Sequence, residues 1–546
     1  MLKRCWIALC GVLLVLAASC GKAGIETAGV PAAAVKSTSY DGLTAFFKEF
    51  REFVKPKLVD GMPDYTPAGV AKQRRELDQF RARFDAIDPG GWPVAQRIDH
   101  LLVRCELNAL DFNHRVMRYW SRDPAFYNTR SIFQQHQSGT VPDPRLPLPA
   151  DKVADFGLKL RAVPKILAQA KSNLTEAAGD LALLAIKAKD REIQFYADLA
   201  KKLETHHPEL VAEAKAAGQA CADFRKWLVE IRPSLPAKAG IGKADYSWYL
   251  KNVQLFPYDW DQCMLLTQRE YQRALSFMTL EKNRNRKLPP VRLMTDRADY
   301  VGRHAEAEKF LARFLREEEI YSVPDFLRPN TISGTGPLGP IRDFFQQALY
   351  RDMLVLRPHD HTGHTLDGLM TERDERVIRG KYRPMHISAI RAEGLATGME
   401  EWLMTAGLLD KRPQSRELTL ILLAIRAARA EADLRMHSGE LTFEQAIQLC
   451  VDRTPYDWMK TDDTVLWGDL DLYLRQPSYG IGYLLGKVQI EGLMADRLMQ
   501  VQEKFVLRDF FDQFLASGVI PVSLIRWELT GMDDEIRKLL EAPSGR

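Results

Sequence analysis

Three of the chain's eleven histidines stand in Pro358-His359-Asp360-His361-Thr362-Gly363-His364, and Glu393 follows His364 by 29 residues. Two imidazoles and a carboxylate from a following helix suit a catalytic zinc ion, which keeps one coordination position open for water. In a regular α-helix, residues five apart lie roughly 140° around the axis, so His359 and His364 would not share a face. They can meet on one ion only if the helix carries a local bulge, placed here near Gly363; such bulges occur at functional sites. His361 and His364, three apart, share a face without one, so His361 is an alternative ligand to His359. Asp360 beside the histidines could activate the metal-bound water, or it could simply complement the positive end of a helix opened by Pro358.

The elements that must position these residues read as helices. Arg391 to Leu409 is expected to be helical and to end at Gly407, with Glu393 and Glu400 seven apart on one face. Small Ala396, Thr397 and Gly398 beside them suit close approach by a second helix. Ser415 to Met436 is expected to be a second helix, capped by Ser415 and closed by Gly439. Its Leu418 to Ile425 stretch is apolar all round, which implies burial. Arg426, Arg429, Asp433 and His437 then form one polar stripe at helical steps. Buried charges must be paired or serve a polar cavity. The stripe is therefore either a salt-bridge ladder or the wall of a cleft shared with Glu393, with Arg426 and Arg429 candidates for an anionic substrate end. Tyr473, Tyr479 and Tyr483 surround Pro477 and several glycines. A tyrosine hydroxyl there could donate to a developing oxyanion.

Helical periodicity also dominates the preceding sequence, at Leu43 to Val54, Val70 to Phe84, Val94 to Tyr119, Ala154 to Leu203, Leu210 to Ile231, Trp260 to Lys282 and Ala305 to Glu319. Strand-like alternation is scarce, with Tyr321 to Leu327 the best candidate. Pro/Gly-rich breaks lie at 138–149, 233–243 and 328–340. The expected fold is mainly α, a large multi-helix protein with at most a small β-sheet. A helical N-terminal half, 38–340, precedes a C-terminal half, 341–546, that carries every chemically suggestive cluster.

Met1 to Cys20 reads as an export signal: Lys3 and Arg4 precede an apolar run too short to span a membrane, and Ala17-Ala18-Ser19 stand before Cys20. A small-residue box ending in cysteine points to lipidation of Cys20, with 21–37 as a flexible tether and a membrane as partner. Net charge is +4, or +2 without Lys3 and Arg4, so no basic field argues for nucleic acid. Cys105, Cys221, Cys263 and Cys450 are widely spaced and form no Cys-x-x-Cys pair.

These segments in their order resemble the bacterial domain-of-unknown-function 885 family, many of whose members are lipoproteins and which is grouped with zincin-type metallopeptidases. The family's His-Glu-x-x-Pro-Gly-His-His box corresponds to His359-Asp-His-Thr-Gly363-His364, and its Glu-Gly-Trp-Ala-x-x-x-Glu to Glu393-Gly394-Leu395-Ala396 with Glu400 last. The run Arg426, Arg429, Asp433, His437, Gly439 matches, as do Tyr473, Pro477, Tyr483 and Gly486, with Ser478, Tyr479 and Gly480 replacing Gly, Gln and Ala. Arg508 to Asp512, Gly518 to Pro521, Arg97 to Asp99 and Asp123 to Tyr127 extend the likeness over nearly the whole mature chain. The resemblance implies a zincin-like fold, an envelope-anchored lipoprotein and zinc-assisted peptide hydrolysis. Zinc would sit on His359, His364 and Glu393, Asp360 would be the base, and Tyr483 or His437 would stabilise the oxyanion. Arg426, Arg429 and Tyr473 would meet the peptide. The family's Glu has no clean counterpart: ungapped alignment on Gly363-His364 sets His-Glu on Pro358-His359, and one deletion sets it on His359-Asp360. The alternative is therefore a catalytically inactive relative that keeps the cleft as a peptide-binding or structural module.

Overall fold

Apolar residues at three- and four-residue steps produce helices almost throughout the computed structural model, which describes residues 39–59, 62–130, 141–387 and 389–541. The 1–20 signal, Cys20 and the 21–37 tether lie outside the described residues. The fold is mainly α, as expected. Strands among the described residues are β1 (Leu58–Val59) and β2 (Met62–Pro63), paired antiparallel with Leu58 opposite Pro63. No described helix is long and apolar enough to cross a membrane.

Three expectations about local structure are corrected. Tyr321 to Leu327 is not a strand: the Ser322 N–H and hydroxyl both donate to Asp512, at 2.8 and 2.6 Å, so a carboxylate supplies the partner a neighbouring strand would have given. The Ala154 to Leu203 run is two helices, Ala150–Asn173 and Gly179–His206, which pack with Val211–Ile231. Ser415 is not a cap. Gln414 takes that place in helical conformation, and the Ser415 hydroxyl instead donates to Asp352 Oδ2 at 2.6 Å.

Four elements position the candidate site. Residues Pro358–Thr365 form a π-helix. Ala389–Thr405, the glutamate helix, packs against it and against Tyr479–Val501, the tyrosine helix. Ser415–His437, the arginine helix, lies against the tyrosine helix and against Trp260–Arg284. Glycines permit the closest approaches. A methyl group on Gly363 would lie 2.7 Å from the Ala396 Cα and Cβ atoms, and one on Gly486 would collide with the Ile390 carbonyl oxygen. The π-helix and the two crossing helices can therefore touch backbone to backbone.

The segments on either side of 328–340 are tied by buried ion pairs. Asp99 receives Arg379 Nε at 2.7 Å and the Tyr40 hydroxyl at 2.6 Å, and Asp123 receives Arg475 Nε at 2.6 Å. The Arg97 to Asp99 and Asp123 to Tyr127 motifs thus act as clamps onto the C-terminal half.

Candidate metal centre

The π-helix resolves the five-residue spacing. Its hydrogen bonds run from i to i+5, as in Leu366 N–H to the His361 carbonyl, so residues five apart come into line. His359 Nε2 and His364 Nε2 lie 3.2 Å apart. Glu393 Oε2, from the glutamate helix, is 3.4 Å from His364 Nε2 and 3.9 Å from His359 Nε2. Zinc bonds of about 2.0–2.1 Å in tetrahedral geometry put ligand atoms about 3.3–3.4 Å apart, so the three donors stand close to the edges of such a site. Two further observations test the fit. Glu393 Oε2 is buried and accepts no hydrogen bond. Glu400 Oε1 lies 2.9 Å from His359 Nδ1, which favours the proton on that nitrogen and leaves the Nε2 lone pair toward the other two donors. Arg426 holds Glu400 with two bonds, at 2.9 and 2.5 Å. His364 keeps 21% of its side chain exposed, so the triad opens toward solvent on that edge.

The local charges agree with this arrangement. Burial alone would raise the Glu393 carboxyl, but the His364 and His359 imidazoles and the Tyr479 hydroxyl outweigh it and hold it at about 2. Burial would lower His364, and the Glu393 carboxylate reverses that, raising it. The residues present fit a divalent ion of the zinc type.

The sequence profile described as "Bacterial protein of unknown function (DUF885)" matches residues 53–314 and 362–529. The chain belongs to the DUF885 family. Two solved structures share its fold. One is a candidate lipoprotein of unknown function from Shewanella oneidensis, with TM-score 0.72 and 15% identity over 90% of this chain and 100% of that one. The other is a candidate lipoprotein from Colwellia psychrerythraea, with TM-score 0.64 and 16% identity over 92% of this chain and 99% of that one. No curated protein matches the chain by sequence.

In this DUF885 protein the remaining expected site residues have other partners. Asp360 does not face the triad. It is held by Arg357, whose guanidinium also reaches Glu308 at 3.4 Å, because the π-helix turns residues 360 and 361 away from 359 and 364. His361 follows it, with Nδ1 3.1 Å from Glu308 Oε2, so it does not replace His359. The polar stripe is a buried ladder rather than a cleft wall. Arg426 is paired with Glu400 and Arg429 with Asp469, and both arginines are only 1% exposed, while Arg426 Nε and Arg429 Nε and Nη2 keep no hydrogen-bond partner among the described residues. Neither pairs with Asp433.

Asp433 accepts from the Tyr246 hydroxyl at 3.2 Å and the Ile481 N–H at 3.3 Å. Burial raises its carboxyl to about 8 against those bonds. His437 donates to the Tyr473 carbonyl at 3.0 Å and packs tilted beside the Tyr246 ring, and burial lowers it to about 4. Its ring is committed to that carbonyl and not to an oxyanion. Tyr483 is buried over the Arg429 guanidinium, 5.0 Å from the ring centre, and Tyr473 is fully buried.

Two features escaped the sequence reading. The hydroxyl that reaches the triad belongs to Tyr479, which donates to Glu393 Oε1 at 2.7 Å; its position next to the motif's Pro477 was visible, but its direction depends on how the tyrosine helix begins. The second is the His304–Glu308 pair on Arg297–Glu317. Its signal was in the pattern: 304 and 308 sit on the same stripe as buried Ala307, Leu311 and Leu315, and polar residues on a core-facing stripe need partners.

Proposed function

We propose that this protein is an exported lipoprotein of the bacterial cell envelope. In this reading it holds one zinc-type ion on His359, His364 and Glu393 and uses that centre to bind peptide-like ligands without hydrolysing them. The observation that carries the reading is the near-tetrahedral mutual spacing of three buried or half-buried donors, His359 Nε2, His364 Nε2 and the unbonded Glu393 Oε2. A zinc ion held there would polarise a carbonyl or carboxylate oxygen of the ligand. Envelope anchoring rests on Cys20 after its small-residue box and on the lipoprotein descriptions of the two fold neighbours.

The same neighbourhood argues against turnover. A general base must come within hydrogen-bond reach of the reacting water. Asp360 is engaged by Arg357, Glu400 by Arg426, and Glu393 is needed as a ligand. The zinc-dependent peptidase that the family resemblance implies would need one of these carboxylates released.

The test uses the mature chain loaded with zinc. A panel of short peptides is followed by mass spectrometry for cleavage and by titration calorimetry for binding. Binding that disappears when His364 is replaced by alanine, without cleavage, is the expected result. Cleavage lost in Asp360→Asn would restore the peptidase reading. In cells, the wild-type chain should fractionate with membranes and Cys20→Ala should not; a wild-type chain found soluble with an unmodified terminus would remove the anchor.

A further inference from the structure

We infer that Tyr479 sets the coordination number of this centre by holding Glu393 to one metal-facing oxygen, and so favours four-coordinate ions such as zinc over ions that demand six oxygen-rich ligands. The inference rests on the metal reading above and deepens it.

A free carboxylate can bind a cation through one oxygen or two. Here the two oxygens are chemically distinguished. Oε1 accepts the Tyr479 hydroxyl at 2.7 Å, while Oε2 accepts no hydrogen bond and is the atom nearest both imidazoles. Rotating Glu393 to present both oxygens would break the phenol bond in a buried site.

Three features fix the phenol where it stands. The Tyr479 ring stacks on Tyr473, with centroids 5.9 Å apart and planes 18° from parallel. The tyrosine helix begins at Tyr479, with Ser478 before it at φ 77°, a left-handed conformation that sets the angle at which the chain enters the helix. Asp433 then takes the Ile481 N–H in the first turn, fixing that end to the arginine helix. Tyr479 is a positioning residue, acting on the ion through Glu393. It is also a departure of this chain from the family pattern described above, which has glutamine at this place.

The consequence is specific. With Oε1 occupied, the protein supplies three ligand atoms, two nitrogens and one oxygen, and the fourth position is left for water or ligand. Such a nitrogen-rich, low-coordinate set suits zinc and cobalt, whereas magnesium and calcium prefer six or more oxygens. Removing the hydroxyl frees Oε1 to join the coordination sphere.

The test is cobalt substitution of the mature protein. Its visible absorption is strong for four-coordinate cobalt and weak for five- or six-coordinate cobalt, and it needs no assay of activity. Wild type, Tyr479→Phe and Tyr479→Gln are titrated with cobalt, then with zinc in competition, with near-ultraviolet circular dichroism reporting that each is folded. The expected result is an intense four-coordinate spectrum in wild type. In Tyr479→Phe the band should weaken and zinc affinity should fall about 10–100-fold, the usual cost of losing a partner of a metal ligand. Tyr479→Gln, which keeps an N–H donor, should fall between the two and reads the effect independently should the phenylalanine variant not fold. Equal spectra and affinities in wild type and Tyr479→Phe would overturn the role of Tyr479 while leaving the metal centre standing. A wild-type protein that takes up neither cobalt nor zinc would instead overturn the centre itself.

Discussion

The two faces of the π-helix solve the same electrostatic problem in opposite ways. On one, His359 and His364 converge with Glu393, and the buried Oε2 is left without a hydrogen bond. On the other, His361 meets Glu308, and Arg357 supplies positive charge from the protein itself to both Glu308 and Asp360. A carboxylate buried without a counter-charge is costly, and a guanidinium or a metal ion can each satisfy it. The Arg357 face is therefore a closed structural knot, whereas on the histidine face Glu393 has only the His364 and His359 imidazoles as positive partners, a place that a metal ion would take in the function proposed above. The difference also explains why a carboxylate next to two metal-type histidines need not be a base: its position on a π-helix sends it to the wrong side.

The largest expected contrast comes from cutting each face. Arg357→Met leaves Glu308 and Asp360 without their cation and should cost about 3–5 kcal/mol in urea unfolding, with or without metal. His364→Ala should change metal-free stability far less and abolish the stabilisation that added zinc gives wild type. Equal losses in metal-free protein would erase the distinction between the faces.

Next in size is Gly363→Ala. Its methyl group meets the Ala396 backbone at 2.7 Å, and overpacking of this kind costs about 1–3 kcal/mol. Because it wedges the π-helix from the glutamate helix, zinc affinity should fall with it. Gly368→Ala, which meets nothing within 4 Å in the next helical turns, should be neutral or up to about 1 kcal/mol stabilising.

A third test extends the comparison along the arginine helix, where Asp433 is raised to about 8 and faces the Tyr246 hydroxyl and His437. Between its unfolded value, about 4, and 8, the folded state holds a proton that the unfolded chain has released. Stability from this group is therefore full below about pH 4 and is lost as pH rises through 8, with a slope of at most about 1.4 kcal/mol per pH unit. Asp433→Asn should flatten that slope in thermal melts between pH 5 and 8. An unchanged slope would mean that Asp433 is ionised in the folded protein.

The smallest effect is expected at Ser478, whose φ of 77° suits glycine. Ser478→Gly should be worth a few tenths to about 1 kcal/mol, read as a small rise in melting temperature. A loss of that size would show that the serine side chain contributes a contact that offsets the strain.

Much of the fold was legible because helix periodicity is a local signal. The glutamate and arginine helices lie within a few residues of their expected positions, and the apolar 418–425 stretch is buried as its pattern required. A bulge was legible only as the condition for His359 and His364 to meet, with His361 open as the alternative, and the π-helix over Pro358–Thr365 meets that condition. What could not be read was direction at the ends and across helices. Asp360 depends on a guanidinium three residues earlier and on Glu308 from a distant helix. Arg426 and Arg429 were read as possible substrate contacts, and only tertiary packing reveals that Glu400 and Asp469 already occupy them. Tyr479 and Tyr483 were equivalent by residue type, and the start of the tyrosine helix decides between them.

The central claim is that His359, His364 and Glu393 hold one divalent ion, and elemental analysis of the purified mature chain tests it most directly. Wild type, Glu393→Gln and Arg357→Lys, a substitution on the opposite face that keeps the cation, are equilibrated with zinc and freed of excess by gel filtration. The expected result is about one zinc per chain in wild type and in Arg357→Lys, and none retained by Glu393→Gln. Zinc absent from wild type, or retained equally by Glu393→Gln, would contradict the account.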